Sequence, residues 1–386
     1  YQDAANYLTG RTDRLYFLNG FKWEDQLYEG DNVAEAWRDP YNDIFNANVV
    51  ITEIDEAALG VKSEEDRKRV KGWGYFRRAF ANFILVNQFA KHYNSESSHL
   101  DLGIPIVTDV DPLQGSVPRS TVQETYDFIE SDLEMALDLL PEVPREFPKF
   151  NYRPSKVSVY ATMARVHLYK GEWEQSRNAA QQAMTIIEDN ASIGLIPIGE
   201  HNGDFNMWPA QNHLNKEVLW VKDATAVGMH PSNENIFISP ELQSVMDESD
   251  TRFGIYLVEA TASNGVTGYT PNHTFSSNGW PTRNFAPNVP DVILMLGETN
   301  ARLGDLAAAE GYLKMLREQR ITDYVHENSV DQGSLLTEIF NERWIEHMYT
   351  GLRWYDLKRR NVEGENISIT HMIEDDDDNS VEIVLE

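Results

Sequence analysis

The sequence predicts a mostly α-helical protein in which tetratricopeptide-like helical hairpins pack with a loop-rich insertion. Long segments carry apolar residues at the three- and four-residue spacing of amphipathic helices. Two predicted hairpins also align with each other around a turn glycine. Residues 191–289 differ, because they are rich in glycine, asparagine, proline and aromatic residues. We therefore predict a single domain over 1–386, with helical-repeat parts at 34–190 and 290–360 and the insertion at 191–289.

Four segments before the insertion have helical periodicity; they are 34–58, 72–93, 118–141 and 153–187. The third should start on a Ser120 or Thr121 cap and stop at Pro141. A charged turn is predicted at 62–69. Two prolines exclude a helix from 103–112, so that piece should be extended.

The elements from the insertion onward are predicted in the same way. The insertion should hold short strands, with its best short helical pattern at 242–248. A helix–turn–helix follows at 290–320, and 341–360 forms the last long helix. The tail, 361–386, is acidic and weakly patterned.

The internal repeat is a pair of hairpins with turn glycines at Gly171 and Gly304. Small residues lie seven positions before and five after each glycine; they are Ala164 and Ser176 in the first hairpin, and Gly297 and Ala309 in the second. Small residues at these places allow two antiparallel helices to approach closely, as in tetratricopeptide repeats. Ordinary helical hairpins are the alternative.

Composition excludes several classes of function. Lys and Arg total 33 against 62 Asp and Glu, so the net charge of −29 repels phosphate backbones and argues against a nucleic-acid partner. The absence of cysteine excludes disulfides, thiolate catalysis and cysteine metal sites. No apolar run approaches the ~18 residues of a spanning helix. The chain begins at Tyr1, which predicts a processed or trimmed N-terminus.

Motif searches predict no catalytic residue, no metal site and no cofactor. The sequence lacks a P-loop, G-x-S-x-G, H-E-x-x-H and G-x-G-x-x-G, and its ten histidines are scattered. The acidic run 374–380 could attract calcium, but it lacks the alternation and the turn glycine of an EF-hand loop. A solvated acidic tail is the preferred interpretation.

The stretch 341–360 combines aromatic rings with acids and arginines. Glu342 and Glu346 are one helical turn apart, a spacing that suggests an acid/base pair for glycoside hydrolysis. Both would share one helix face, however, whereas a glycosidase pair must flank the scissile bond. Arg343 and Arg353 are also placed to neutralise both carboxylates. The pattern therefore favours a buried, ion-paired helix.

This stretch resembles the C-terminal signature of SusD/RagB-like proteins, the glycan-binding outer-membrane lipoproteins of Bacteroidetes. The residues that carry the resemblance are Glu342, Arg343, Glu346, Gly351, Arg353, Trp354, Asp356 and Leu357. Further blocks resemble the family in the same order along the chain; they are 37–51, 74–90, 103–107, 118–141, 153–173 and 237–253.

The resemblance implies a SusD-like α/α superhelix and a non-enzymatic capture protein. Such a protein would sit as a lid on a SusC-like TonB-dependent transporter and pass oligosaccharides or other nutrients to it. The resemblance further implies a lipoprotein on the extracellular face of the outer membrane, held by an N-terminal lipid anchor that this chain does not include. A glycan site on loops near the N-terminus and in the insertion is also implied.

Sugars stack on exposed aromatic rings, while nearby amides and carboxylates bind their hydroxyl groups. Rings on loops are better candidates than rings on helix faces, which usually belong to the core. By this rule Trp73, Trp173, Trp344 and Tyr355 are assigned to packing. The candidate rings are Trp23, Tyr28, Trp208, Tyr269, Phe275 and Trp280. The candidate polar partners are Asn272 and His273, with Asp25 and Asn32 as further possibilities.

Two other classes of function stay open at this point. A tetratricopeptide scaffold that binds only protein would use helix residues in a groove instead of loop aromatics. An α-helical glycoside hydrolase would use two of the many acids.

Overall fold

The computed structural model describes residues 19–20, 23–24, 26–28, 34–111, 115–198, 215–222, 237–261, 265–271, 284–374 and 380–385. The predicted mostly helical fold class is confirmed. Before the insertion the helices are α1 (Glu35–Glu53), α2 (Glu64–Phe89), α3 (Val122–Leu139), α4 (Lys156–Lys170) and α5 (Trp173–Glu188).

The second half has short elements first and long helices afterwards. The insertion holds α6 (Pro240–Ser244), α7 (Arg252–Tyr256) and the antiparallel strands β1 (Leu257–Thr261) and β2 (Thr267–Pro271). Four helices follow; they are α8 (Val289–Arg302), α9 (Leu306–Arg317), α10 (Gln332–Glu346) and α11 (Leu352–Val362). The chain then forms a hairpin of β3 (Ile369–Glu374) and β4 (Ser380–Leu385).

The helices pack as consecutive antiparallel neighbours around one large core. α1 packs on α2, α2 on α3, α4 on α5 and α8 on α9, while α8 also contacts α5 and α10. This core draws buried apolar side chains from α1 to α5 and from α8 to α11. A smaller cluster joins the insertion to the end of α10, through residues such as Ile255, Leu257, Ile345 and Met348.

The predicted hairpin repeat is confirmed at the level of individual atoms. The Ser176 hydroxyl donates to the Ala164 carbonyl oxygen at 2.8 Å, so α4 and α5 approach where the small residues were predicted. Gly171 and Gly304 have φ angles of 75° and 87°, a left-handed conformation that favours glycine.

The cap of α3 is also confirmed, because Thr121 and Glu124 form a capping box. The predicted start of α2 is wrong. This helix begins at Glu64 and not near 72, since Ser63 caps it through a box with Asp66. Much of the charged segment predicted as a turn is therefore the first turns of α2.

One prediction for the C-terminal region is also wrong. The stretch 341–360 is not one helix, because the chain breaks between α10 and α11, where Tyr349 and Gly351 have φ angles of 61° and 86°. The weakly patterned tail contains a hairpin, in which β3 and β4 pair in register from Ile369 opposite Leu385 to Glu374 opposite Ser380. Most of the acidic run 374–380, predicted to be solvated, lies outside the described residues.

Candidate functional site

The carboxylates of the C-terminal stretch are buried among arginines. Glu342 is 1% exposed, and its two oxygens lie 2.6 Å from Arg252 Nη1 and 2.8 Å from Arg317 Nε. Glu346 lies 2.9 Å from Arg252 and 3.2 Å from Arg320. Burial alone would raise the pKa of Glu342, but the charges of Arg252 and Arg317 outweigh it and hold the pKa below its usual value. The predicted buried, ion-paired character is thus confirmed.

The partners predicted for these carboxylates are wrong. Arg343 instead contacts Asp291 at 3.1 Å and Asp356 at 3.3 Å, so it ties α10 to α8 and α11. Arg353 stacks on the Trp344 ring, with the guanidinium carbon 4.1 Å from the ring centre. Arg343 follows Glu342 directly and so lies about 100° around α10 from it, on another face. Arg353 lies on α11, beyond the break that separates it from α10.

A second charge cluster links α8 to α11. Arg359 contacts Glu298 at 2.5 Å and Asp356 at 2.9 Å, and all three side chains are buried. Burial acts to raise the pKa of Glu298, but the charges of Arg359 and Arg302 outweigh it and lower the pKa to about 2.

Buried arginines also fasten the insertion to the helical scaffold. Arg252, at the start of α7, binds Asp250 at 2.6 Å in addition to the two glutamates of α10. Arg320 follows α9 and lies 3.0 Å from Glu217, while its carbonyl accepts the Thr251 amide at 2.9 Å. These contacts fasten two described parts of the insertion, Glu217 and the segment 250–252, to the helical scaffold.

The two N-terminal candidate rings lie on a compact loop. The Asn19 amide donates to the carbonyl oxygens of Gln26 and Leu27 at 3.2 and 3.1 Å, which closes the loop. Trp23 has a left-handed φ of 53°. Trp23 and Tyr28 are half-buried, and Leu27 between them is 41% exposed. Leu27 is thus an exposed apolar side chain beside the two rings, which a rule based on aromatic residues does not select.

Tyr269 is the one candidate of the insertion's aromatic cluster that the structure describes. It lies on β2 opposite Glu259, and its ring meets Phe253 edge to face at 4.4 Å. Its half-buried position makes it partly a packing residue of the smaller core. Trp208, Asn272, His273, Phe275 and Trp280 lie outside the described residues, as do Asp25 and Asn32.

The rings that were assigned to packing do pack. Tyr355 is 4% exposed in the main core, and Trp73 and Trp173 lie against it, half-buried. Trp344 packs against the smaller core.

Within the described part of the chain, one group of side chains has the spacing of a metal site. It comprises Glu130, His167 and Glu172. The Lys170 ammonium lies 2.6 Å from Glu130 and 2.8 Å from Glu172, so a fixed cation already pairs with both carboxylates. This arrangement does not fit a divalent ion.

Comparison with models of protein families shows which family the chain belongs to. Residues 6–168 match a family model described as starch-binding and associating with the outer membrane, and residues 173–380 match the model of the SusD family. The chain belongs to the SusD family. This family is associated with the outer membrane, and none of the helices in the described ranges is long and apolar enough to cross a bilayer.

Individual SusD relatives are similar along most of the chain. A SusD-like protein of Formosa agariphila is 25% identical over 412 residues, covering 92% of this chain and 76% of the relative. A second SusD-like protein of that organism is 23% identical and covers 84% and 72%. These relatives carry family names only, without an assigned ligand.

Solved SusD structures share the fold. A SusD superfamily protein from Bacteroides thetaiotaomicron superposes with a TM-score of 0.70 at 21% identity, covering 86% of this chain and 75% of that one. A SusD-like carbohydrate binding protein from Bacteroides vulgatus has a TM-score of 0.64 at 20% identity, covering 90% and 75%.

Proposed function

We propose that this chain is a non-catalytic saccharide-binding protein of the outer cell surface. The observation that carries the proposal is the pair of family matches, which together extend over 6–168 and 173–380. The similarity to a solved SusD-like carbohydrate binding protein supports the ligand class. A lipid anchor, the extracellular face of the outer membrane and delivery to a SusC-like TonB-dependent transporter are parts of the same proposal.

The burial and ion pairing of Glu342 and Glu346 support the non-catalytic role. Their spacing in the sequence is the one that suggested an acid/base pair. Each is at most 3% exposed and held by two arginines. A glycosidase needs two carboxyl groups on opposite sides of a substrate, and one of them must keep a proton. Glu342 and Glu346 instead lie on one helix face and make structural ion pairs.

The ligand site of this proposal comprises Tyr269 on β2 together with Trp23, Tyr28, Trp208, Asn272, His273, Phe275 and Trp280. A ring that stacks on a pyranose supplies apolar contact, while the amide and imidazole groups orient the hydroxyls. The closed loop at 19–28 and the anchored β1–β2 hairpin are suited to this task, because rigid supports lower the entropy cost of binding.

Affinity electrophoresis against a panel of neutral and acidic polysaccharides tests the proposed function. We expect at least one polysaccharide to retard the protein, with no release of reducing ends on prolonged incubation. Absence of retardation with every member of the panel would contradict saccharide binding. Reducing ends that appear with wild-type protein and vanish in Glu342→Gln would contradict the non-catalytic role.

A further inference from the structure

A cavity of about 310 Å³ lies between the end of α1 and the first turns of α2. Its wall includes the half-buried ring of Trp73 and the side chains of Lys62, Arg67, Arg69 and Arg153, with Asp66 as the one carboxylate. Four cations around one small cavity are notable on a chain whose net charge is −29.

Internal ion pairs account for only two of the four cations. Arg67 lies 2.9 Å from Glu64, and Arg69 pairs with Asp66. Within the described ranges, no carboxylate approaches Lys62 or Arg153 within the 4.0 Å of an ion pair. Lys62 and Arg153 are therefore the two cations of the cavity wall that lie outside an ion pair with a described residue.

Arg153 is held in place by aromatic rings. Its guanidinium carbon lies 4.4 Å from the centre of Phe150 and 5.6 Å from that of Trp73. Trp73 is itself fixed, because its indole N–H donates to the Pro154 carbonyl at 3.1 Å. Stacking uses the flat face of a guanidinium and leaves its N–H groups in the plane, where they can donate to two oxygens of one anionic group.

We propose that this cavity binds an acidic saccharide, one whose carboxylate or sulfate group pairs with Arg153 and Lys62. The apolar wall around Trp73 would contact the sugar ring. The choice of a saccharide rests on the proposed function, whereas the negative charge of the ligand rests on the cavity alone.

The negative net charge of the chain disfavours the binding of an acidic ligand outside this cavity. Fixed charges act over about 8 Å at physiological ionic strength, so the distant acids are screened and the two unpaired cations dominate at contact. Elsewhere the acidic surface repels a polyanion. The expected binding is therefore local and sensitive to salt.

Isothermal titration with an oligogalacturonate tests the cavity, with a maltooligosaccharide of equal length as the neutral ligand. We expect the oligogalacturonate to bind, at least tenfold more weakly in Arg153→Ala and severalfold more weakly in Lys62→Ala or at raised salt. Arg145→Ala is the charge-matched control, since Arg145 is exposed and lies outside the cavity. That variant should bind like wild type.

Lys62 is exposed, so its variant leaves the fold intact even if Arg153→Ala loses its stacking contacts. Oligogalacturonate affinity that is unchanged in both variants, or no oligogalacturonate binding at all, would overturn the proposal. Inorganic sulfate that binds as tightly as the oligomer would also overturn it, because the cavity would then be a simple anion site. A neutral glycan distinguishes a failure of this proposal from a failure of the proposed function. If it binds to wild type and Arg153→Ala but not to Trp280→Ala, the proposed function holds even when oligogalacturonate does not bind to the cavity.

Discussion

Individual buried arginines connect parts of the chain that are far apart in sequence. The largest fully buried side chains include Arg165, Arg252, Arg320, Arg343 and Arg359, and each contacts at least one carboxylate. A buried charge is tolerated when it is paired, and removing one partner leaves the other uncompensated. Of these arginines, Arg252 and Arg320 report directly on the attachment of the insertion to the helices.

The substitution Arg252→Ala tests this attachment. It would leave Asp250, Glu342 and Glu346 without a shared cation, so we expect a loss of about 3–5 kcal/mol in the free energy of unfolding, measured by chemical denaturation. Arg38→Ala is the control, because Arg38 and its partner Asp39 are both nearly half exposed. It should cost less than about 1 kcal/mol. Equal effects of the two substitutions would contradict a supporting role for the buried network.

The lowered pKa of Glu298 predicts how the free energy of unfolding depends on pH. Its folded-state pKa of about 2 lies below the usual 4.5, so the carboxylate stabilises the folded protein above pH 4.5 and loses that contribution as the pH falls towards 2. We expect Glu298→Gln to be less stable than wild type at neutral pH, with the difference shrinking over this window. Exposed Glu174→Gln serves as the control. A difference that stays constant between pH 7 and pH 2.5 would contradict the linkage.

Among the elements, those governed by local signals were predictable from the sequence. The small residues around Gly171 predicted the contact of α4 with α5, and Thr121 as a cap predicted the start of α3. The partners of Glu342 and Glu346 were not predictable, because Arg252 lies 90 or more residues away and a helical wheel contains only neighbours along the chain. Gly351 was an available signal for the break between α10 and α11, because a glycine favours the left-handed conformation found there. The strands β3 and β4 have adjacent apolar residues instead of strict alternation, so their pattern was only a weak signal.

The start of α2 gives a direct test at the level of one element. Ser63 accepts the Asp66 amide, and Asp66 accepts the Ser63 amide at 3.0 Å, which satisfies two free donors of the first turn. We expect Ser63→Ala to lower the free energy of unfolding by about 1 kcal/mol. Ser95→Ala, at an exposed loop position, should change it by less than half as much. Equal stability of Ser63→Ala and wild type would contradict this, and would indicate that the stable part of α2 begins nearer to 72.

The whole molecule divides into a rigid helical support and the loops that it presents. The main core and most of the buried charges lie in the helices. The candidate ligand residues lie in the N-terminal segment and in the insertion. The family signature is therefore most concentrated where the chain is held together, in α10 and α11. The candidate residues that would determine the ligand lie in the segments whose sequence pattern is least regular. For that reason a particular glycan could not be named from the sequence.

The central claim is that loop aromatics bind a saccharide while the C-terminal helices only support them. Titration calorimetry with the glycan that retards wild type most strongly tests it directly, with Trp280→Ala compared against Trp354→Ala. Trp354 is a matched control, because it is 43% exposed on α11 and outside the proposed site. We predict a loss of about tenfold or more in affinity for Trp280→Ala and none for Trp354→Ala. The opposite result, with affinity lost only in Trp354→Ala, would place the ligand on the C-terminal helices and contradict the account.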